Sequence, residues 1–147
     1  ITVIDEGVRA LVTDLIDTVE LPGRAGVAAP QIGVALRAFS YHVDGEIGYI
    51  LNPRIVEVSG EPEYIQEGCL SVPGLRGLVP RWTHIRYTGF DQYGDPIDRT
   101  VSGFHARVVQ HECDHLIGKL YPMRVRDFTQ FGYTEVLFPE LAADADD

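Results

Sequence analysis

The sequence predicts an α+β domain: short antiparallel strands packed around a central metal-binding helix, preceded by an N-terminal amphipathic helix. Three observations carry that prediction. Residues 5–20 place apolar side chains at three- and four-residue intervals. Residues 34–102 break into short runs separated by Gly, Pro, Asn and Asp turns. Residues 104–117 return to helical spacing and carry H-E-x-x-H at His111, Glu112 and His115.

The first helix is read over 5–20 from Val8, Leu11, Val12, Leu15, Ile16 and Val19, with Asp5 as its N-cap. Pro22, Gly23 and Gly26 end it in a loop. The stretch 27–33 is small-sided, which lets another backbone approach. A strand over 34–43, an Asp44-Gly45 turn and a returning strand over 47–51 form a hairpin. Asn52-Pro53 reads as a break, and 54–59 as another strand. Residues 61–67 read as acidic and irregular, and 72–74 as a turn. Residues 83–91 and 97–102 form a second hairpin around Tyr93-Gly94-Asp95-Pro96. The central helix spans 104–117, stopped by Gly118 and Pro122. Residues 129–138 read as an extended tail, and 142–147 as a frayed acidic end. With no repeat and no linker, residues 1–147 are read as a single domain.

The formal net charge of −10 is a poor match for phosphate backbones, so direct nucleic-acid binding is disfavoured. No apolar run reaches the length of a membrane span, and no signal-peptide pattern opens the chain. Ile1 is not a start methionine, so a processed or trimmed N-terminus is expected.

On a helix, positions i and i+4 lie one turn apart on one face. That spacing lets His111 and His115 ligate one ion while Glu112 reaches a water on it. A thiolate is a good zinc or iron ligand, so Cys69, in a Gly-marked stretch, is a candidate third ligand. Three protein ligands leave a fourth position open, the mark of a catalytic site. Cys113 points off the metal face and is read as a packing residue. A ligating Cys69 must stay a free thiolate, which favours a reducing, intracellular compartment.

Three stretches stand together: G-V-A-A-P-Q at 26–31, E-G-C-L-S at 67–71 and Q-H-E-C-D-H-L-I-G at 110–118. In this combination and order the chain resembles the peptide deformylase family, from about residue 5 to 138. The resemblance implies a metal-dependent hydrolase that removes the N-formyl group from the formyl-methionine end of new polypeptides. It implies one divalent ion on Cys69, His111 and His115: ferrous iron, Fe(2+), in the cell, with Zn(2+), Ni(2+) or Co(2+) able to take its place. Glu112 is then the proton carrier. The side-chain amide of Gln31 and the backbone N–H of Leu70 face the oxyanion. Gly26 pairs with the extended peptide, and Glu67 and Gly68 line the cleft mouth. Phe104 and Val108, on the helix face ahead of His111, are candidates for the methionine pocket or for ordinary core, with the Arg107 stem beside them. Gln110 and Asp114 resemble residues standing behind the ligands. Asp114 is expected to reach either a histidine or an arginine, with Arg81, Arg86 and Arg99 as candidates. The implied partners are N-formyl-methionyl peptides, nascent chains at the ribosome among them. Bacterial-type cytoplasmic location and a monomer are expected.

Two departures from the family's pattern stand out. Arg24 occupies the first position of a motif that normally begins Gly-x-Gly. Most of the segment that usually precedes the first helix is not in the sequence.

Two rival readings share part of this pattern. A zinc metallopeptidase shares H-E-x-x-H, but its extended pattern fails at Tyr121, where a third histidine would stand. The other peptidase scheme takes a downstream glutamate, for which Glu135 has the right distance but lies in a β-rich context. The second rival is a catalytically weak relative that only binds peptide ends.

Overall fold

The computed structural model describes residues 3–69, 71–124 and 131–133. Helix α1 spans Glu6–Val19, and the Asp5 carboxylate accepts the Val8 amide at 3.0 Å, satisfying one orphan donor of the first turn. Val8, Leu11, Val12, Leu15 and Val19 are buried against Val27, Ala29, Ala38 and Leu51. Each such side chain contributes about 1.5–3 kcal/mol of transfer free energy.

Strands β1 (Gly26–Ala28), β2 (Ala38–Val43), β3 (Glu46–Ser59), β6 (His84–Phe90) and β7 (Pro96–Ser102) form one antiparallel sheet in the order β1-β2-β3-β6-β7. A second sheet consists of β4 (Glu63–Cys69), β5 (Val72–Arg81) and the short β8 (Phe131–Tyr133), in the order β4-β5-β8. Helix α2 (Gly103–Leu116) lies between them. Ala106, Val108 and Val109 pack on Phe39, Tyr41, Ile50, Ile85 and Tyr87 of the larger sheet. Its histidines face Cys69 of the smaller one. Gly118, at φ +77°, terminates the helix in the left-handed region that glycine adopts without a Cβ penalty.

The sequence reading is corrected at four places. Asn52-Pro53 does not end a strand: β3 runs through it, and Asn52 at φ +50° accompanies a register shift against β6, which absorbs the missing proline donor. Residues 61–67 are not irregular, because most of them form β4, whose charged side chains reflect an edge strand. Residues 72–74 open the ten-residue strand β5 rather than a turn. The strand expected from 34 begins only at Ala38, and β1 lies in the stretch noted only for its small side chains. Of the extended tail expected over 129–138, 131–133 form β8, and the remainder, like the acidic end at 142–147, lies outside the described residues.

Candidate metal centre

Helical geometry brings His111 and His115 together, with their Nε2 atoms 3.3 Å apart. Strand β4 ends in Cys69, whose Sγ lies 3.3 Å from His115 Nε2. The three donor atoms fall within 4.8 Å of one another, and all three residues are buried. One thiolate and two imidazoles, convergent and sheltered, fit a divalent cation. The protonation chemistry agrees. Burial alone would raise the Cys69 thiol, but hydrogen bonds from His111 and His115 outweigh it and bring it down to about 5.

His111 is held from behind. Its Nδ1 lies 2.9 Å from Glu67 Oε1, so an Nδ1–H donated to the carboxylate makes Nε2 the ligand atom, its lone pair freed when a cation displaces the proton shared with Cys69. Glu67 is itself gripped. Arg81 donates to both its oxygens at 3.0 Å, and Arg107 donates to Oε2. Burial disfavours the charged carboxylate, yet the His111 and Arg81 hydrogen bonds prevail and lower Glu67 to about 2. Arg81 continues to Asp114 Oδ2 at 2.6 Å, and Arg124 clamps Asp114 from the turn after the helix.

These contacts settle several expectations. Asp114 reaches arginines, Arg81 and Arg124. Arg86 pairs instead with Asp98 and Glu57, and Arg99 with Glu46 and the Tyr41 hydroxyl. Gln110 spends its amide on backbone: Oε1 accepts from Trp82 N at 2.9 Å, and Nε2 donates to Trp82 O and Ala106 O. It ties the helix to the segment linking β5 and β6. Sequence reasoning placed Glu67 at the cleft mouth. It does line the cleft, but its grip on His111 was not anticipated, although a carboxylate two residues before a ligand was the available signal. The parts played by Arg81 and Arg107 around Glu67 had no local signature.

Glu112 is fully buried, and its Oε2 has no hydrogen-bond partner among the described residues. Burial raises its carboxyl to about 7, against the pull of His111 and His115. A carboxyl poised there is suited to proton transfer. Gln31 sits in a short 3-10 turn (Ala29–Ile32). Its Oε1 accepts from Ala28 N at 2.8 Å, which turns Nε2 toward Ser71 Oγ at 3.2 Å and Cys69 Sγ at 3.6 Å. Leu70 lies outside the described residues.

A cavity of about 210 Å³ opens beside these groups. Gly26 and Ala25 line one side, Ile65, Glu67 and Gly68 the other, and α2 supplies Phe104, Arg107, Val108, His111 and Glu112. Phe104 is half-exposed at the rim, and Val108 is buried deeper. Tyr121, where one peptidase pattern needs a ligand, is buried and stacked on His111 with ring centroids 6.4 Å apart. Glu135 lies outside the described residues. No helix among the described residues is long and apolar enough to cross a membrane.

Comparison with known proteins gives a consistent result. A family model described as polypeptide deformylase matches residues 1–131. Peptide deformylase 2 of Ralstonia nicotianae and that of Bordetella bronchiseptica are each 55% identical, over 94% of this chain and 84% of theirs. Among solved structures, the peptide deformylase of Thermotoga maritima superposes with a TM-score of 0.82 at 33% identity, covering 86% of each chain. The Synechococcus elongatus peptide deformylase, in complex with actinonin, gives 0.83 at 32% identity, covering 88% of this chain and 71% of that one.

Proposed function

The chain belongs to the polypeptide deformylase family, metal-dependent hydrolases that remove N-formyl groups from new peptides, and we propose how its own residues divide that work. Cys69, His111 and His115 hold the cation, Glu112 moves the proton, and Gln31 with the Leu70 amide faces the oxyanion. The observation that carries this reading is Glu112: a fully buried carboxyl near neutrality, with one oxygen unpaired, beside the three convergent donors.

A divalent cation on these donors supplies Lewis acidity, polarising the formyl carbonyl and making water nucleophilic at neutral pH. Glu112 takes the proton at Oε2 as water adds to the formyl carbon. It returns that proton to the peptide nitrogen as the C–N bond breaks, leaving formate and a free amine. Gln31 Nε2, held by the Ala28 amide on its other end, donates to the oxygen where charge develops. Its orientation is fixed before substrate arrives, so no reorganisation is needed during the reaction.

The first side chain of a formyl-methionyl peptide enters the cavity between Phe104 and Val108. Its backbone extends along β1, an edge strand of the larger sheet, with Gly26 as the pairing residue. Thiolate and imidazole ligands suit iron(II), which we assign as the ion in the cell, with zinc, nickel or cobalt accepted by the same set. The enzyme acts as a cytoplasmic monomer on chains emerging from the ribosome.

The test is release of formate from a formyl-methionyl tripeptide by the iron-loaded protein under anaerobic conditions. Release is expected to fall to background in Glu112→Ala. No release above that control would overturn the reading. Cleavage of internal peptide bonds in unformylated peptides would favour the peptidase rival instead.

A further inference from the structure

The cavity beside the metal ligands leads outward along one stretch of backbone. Gly26 lies against Glu112 at its inner end, and Ala25 and Gly23 line it farther out. In the other direction Val27, Ala28 and Ala29 are buried and line no part of it. A peptide whose formyl end sits between Gln31 and Cys69 therefore leaves past Ala25 toward Gly23, antiparallel to β1. The backbone is ready for it. Ala25 O accepts from His42 N at 2.8 Å, so pairing with β2 continues one residue beyond β1 and leaves the other edge to the cleft.

With the first peptide residue beside Gly26, antiparallel register sets the third opposite position 24. Partners so placed point to the same face, with Cβ atoms about 4.5–5.5 Å apart. Position 24 is Arg24, and its side chain is not committed elsewhere. It lines a second hollow, of about 320 Å³, which shares Gly23 and Ala25 with the cavity. Its Nε is buried without a hydrogen-bond partner, and among the described residues no carboxylate pairs with its guanidinium. A buried donor without an acceptor is costly, and native proteins keep few of them. Glu20 and Asp44 line the same hollow, but both are exposed, so their repulsion of an incoming carboxylate is screened by solvent and salt.

We propose that Arg24 is a specificity-determining residue that reads the third residue of the formyl peptide and favours a side chain ending in a carboxylate. Guanidinium and carboxylate match in paired, charge-assisted hydrogen bonds. A glutamate is long enough to meet an arginine that starts directly across the pairing from it. This rests on the deformylase reading above.

The experiment compares kcat/KM for formate release from formyl-Met-Ala-Glu, formyl-Met-Ala-Gln and formyl-Met-Ala-Leu. Each is amidated, so that no terminal carboxylate stands in for the side chain. The iron-loaded wild type is expected to favour glutamate over leucine by about three- to ten-fold, the range of one net hydrogen bond, with glutamine between them. In Arg24→Met, which keeps the side-chain length without the donors, the glutamate preference disappears. Arg24→Lys keeps the charge without the planar fork and retains part of it. A wild type that treats glutamate and leucine alike overturns the proposal. So does a glutamate preference that persists undiminished in Arg24→Met with wild-type metal content, which would assign it to Arg76, also a lining residue of the cavity. A wild type that releases formate from none of the three peptides refutes the deformylase reading instead, and the proposal falls with it.

Discussion

Gly26 leaves the space beside its Cα to the Glu112 carboxylate. A Cβ at position 26 would lie 2.8 Å from Glu112 Oε1 and 2.9 Å from its Cδ and Cγ. Glu112 is 1% exposed, so its carboxylate has nowhere to retreat. Gly26→Ala is therefore expected to displace Glu112, the proposed proton carrier, while leaving Cys69, His111 and His115 in place. Misplacement of a reacting group by about 1 Å costs roughly 100-fold. Steady-state kinetics should show a loss of that order in kcat, with metal content unchanged. A fully active alanine variant would show that Glu112 does not need its present position.

Cys69→Ser replaces a thiolate by a hydroxyl that stays protonated at neutral pH. Metal affinity should drop by more than the roughly 10- to 100-fold typical of changes behind the ligands. Metal stoichiometry after gel filtration measures this directly. Retention of a full equivalent of metal would remove Cys69 from the ligand set.

Glu67 makes stability depend on acidity. Its carboxyl sits at about 2 in the folded protein, below its ordinary value of 4.5, so between those values the unfolded chain binds more protons. Stability from Glu67 is thus fully present above about 4.5 and is lost as pH falls toward 2. Urea midpoints measured from pH 7 to pH 3 should decline more steeply for wild type than for Glu67→Gln. At neutral pH the same variant should bind metal about 10- to 100-fold more weakly, because His111 loses its carboxylate. Parallel acid profiles would assign the acid sensitivity elsewhere.

Asp114 joins two arginines, and both it and Arg81 are buried. Removing its charge leaves Arg81 with one counter-ion fewer inside the protein, a change expected to cost about 3 kcal/mol. Chemical unfolding of Asp114→Asn checks it. Asp98→Asn, which breaks the exposed pair with Arg86, is the control and should change little.

Much of this site was legible because its chemistry is local. His111, Glu112 and His115 share one helical turn, and Cys69 has a distinctive neighbourhood. The first helix was legible too, since its apolar stripe and cap are written within sixteen residues. What escaped was long-range. Arg107 and Glu67 are forty residues apart and meet only through a long side-chain contact between α2 and β4 that tertiary packing creates. Strand β4 was hidden by its own composition, for an edge strand carries charges that read as a loop. β3 hid its continuity behind a proline that the register shift accommodates. The bond of Gln110 to Trp82 depends on where a chain reversal falls, which periodicity does not report.

The two sheets share no strand pairing among the described residues. Cys69 belongs to the smaller one, while His111 and His115 ride on a helix seated against the larger. A cation bound by all three is therefore also a stitch between layers, and part of its binding energy is cohesion of the domain. A lineage that lost the sulfur ligand would lose its reaction and loosen its seam in the same step. That makes mutational drift at position 69 doubly penalised, and any surviving change there would need a second one that refastens the layers.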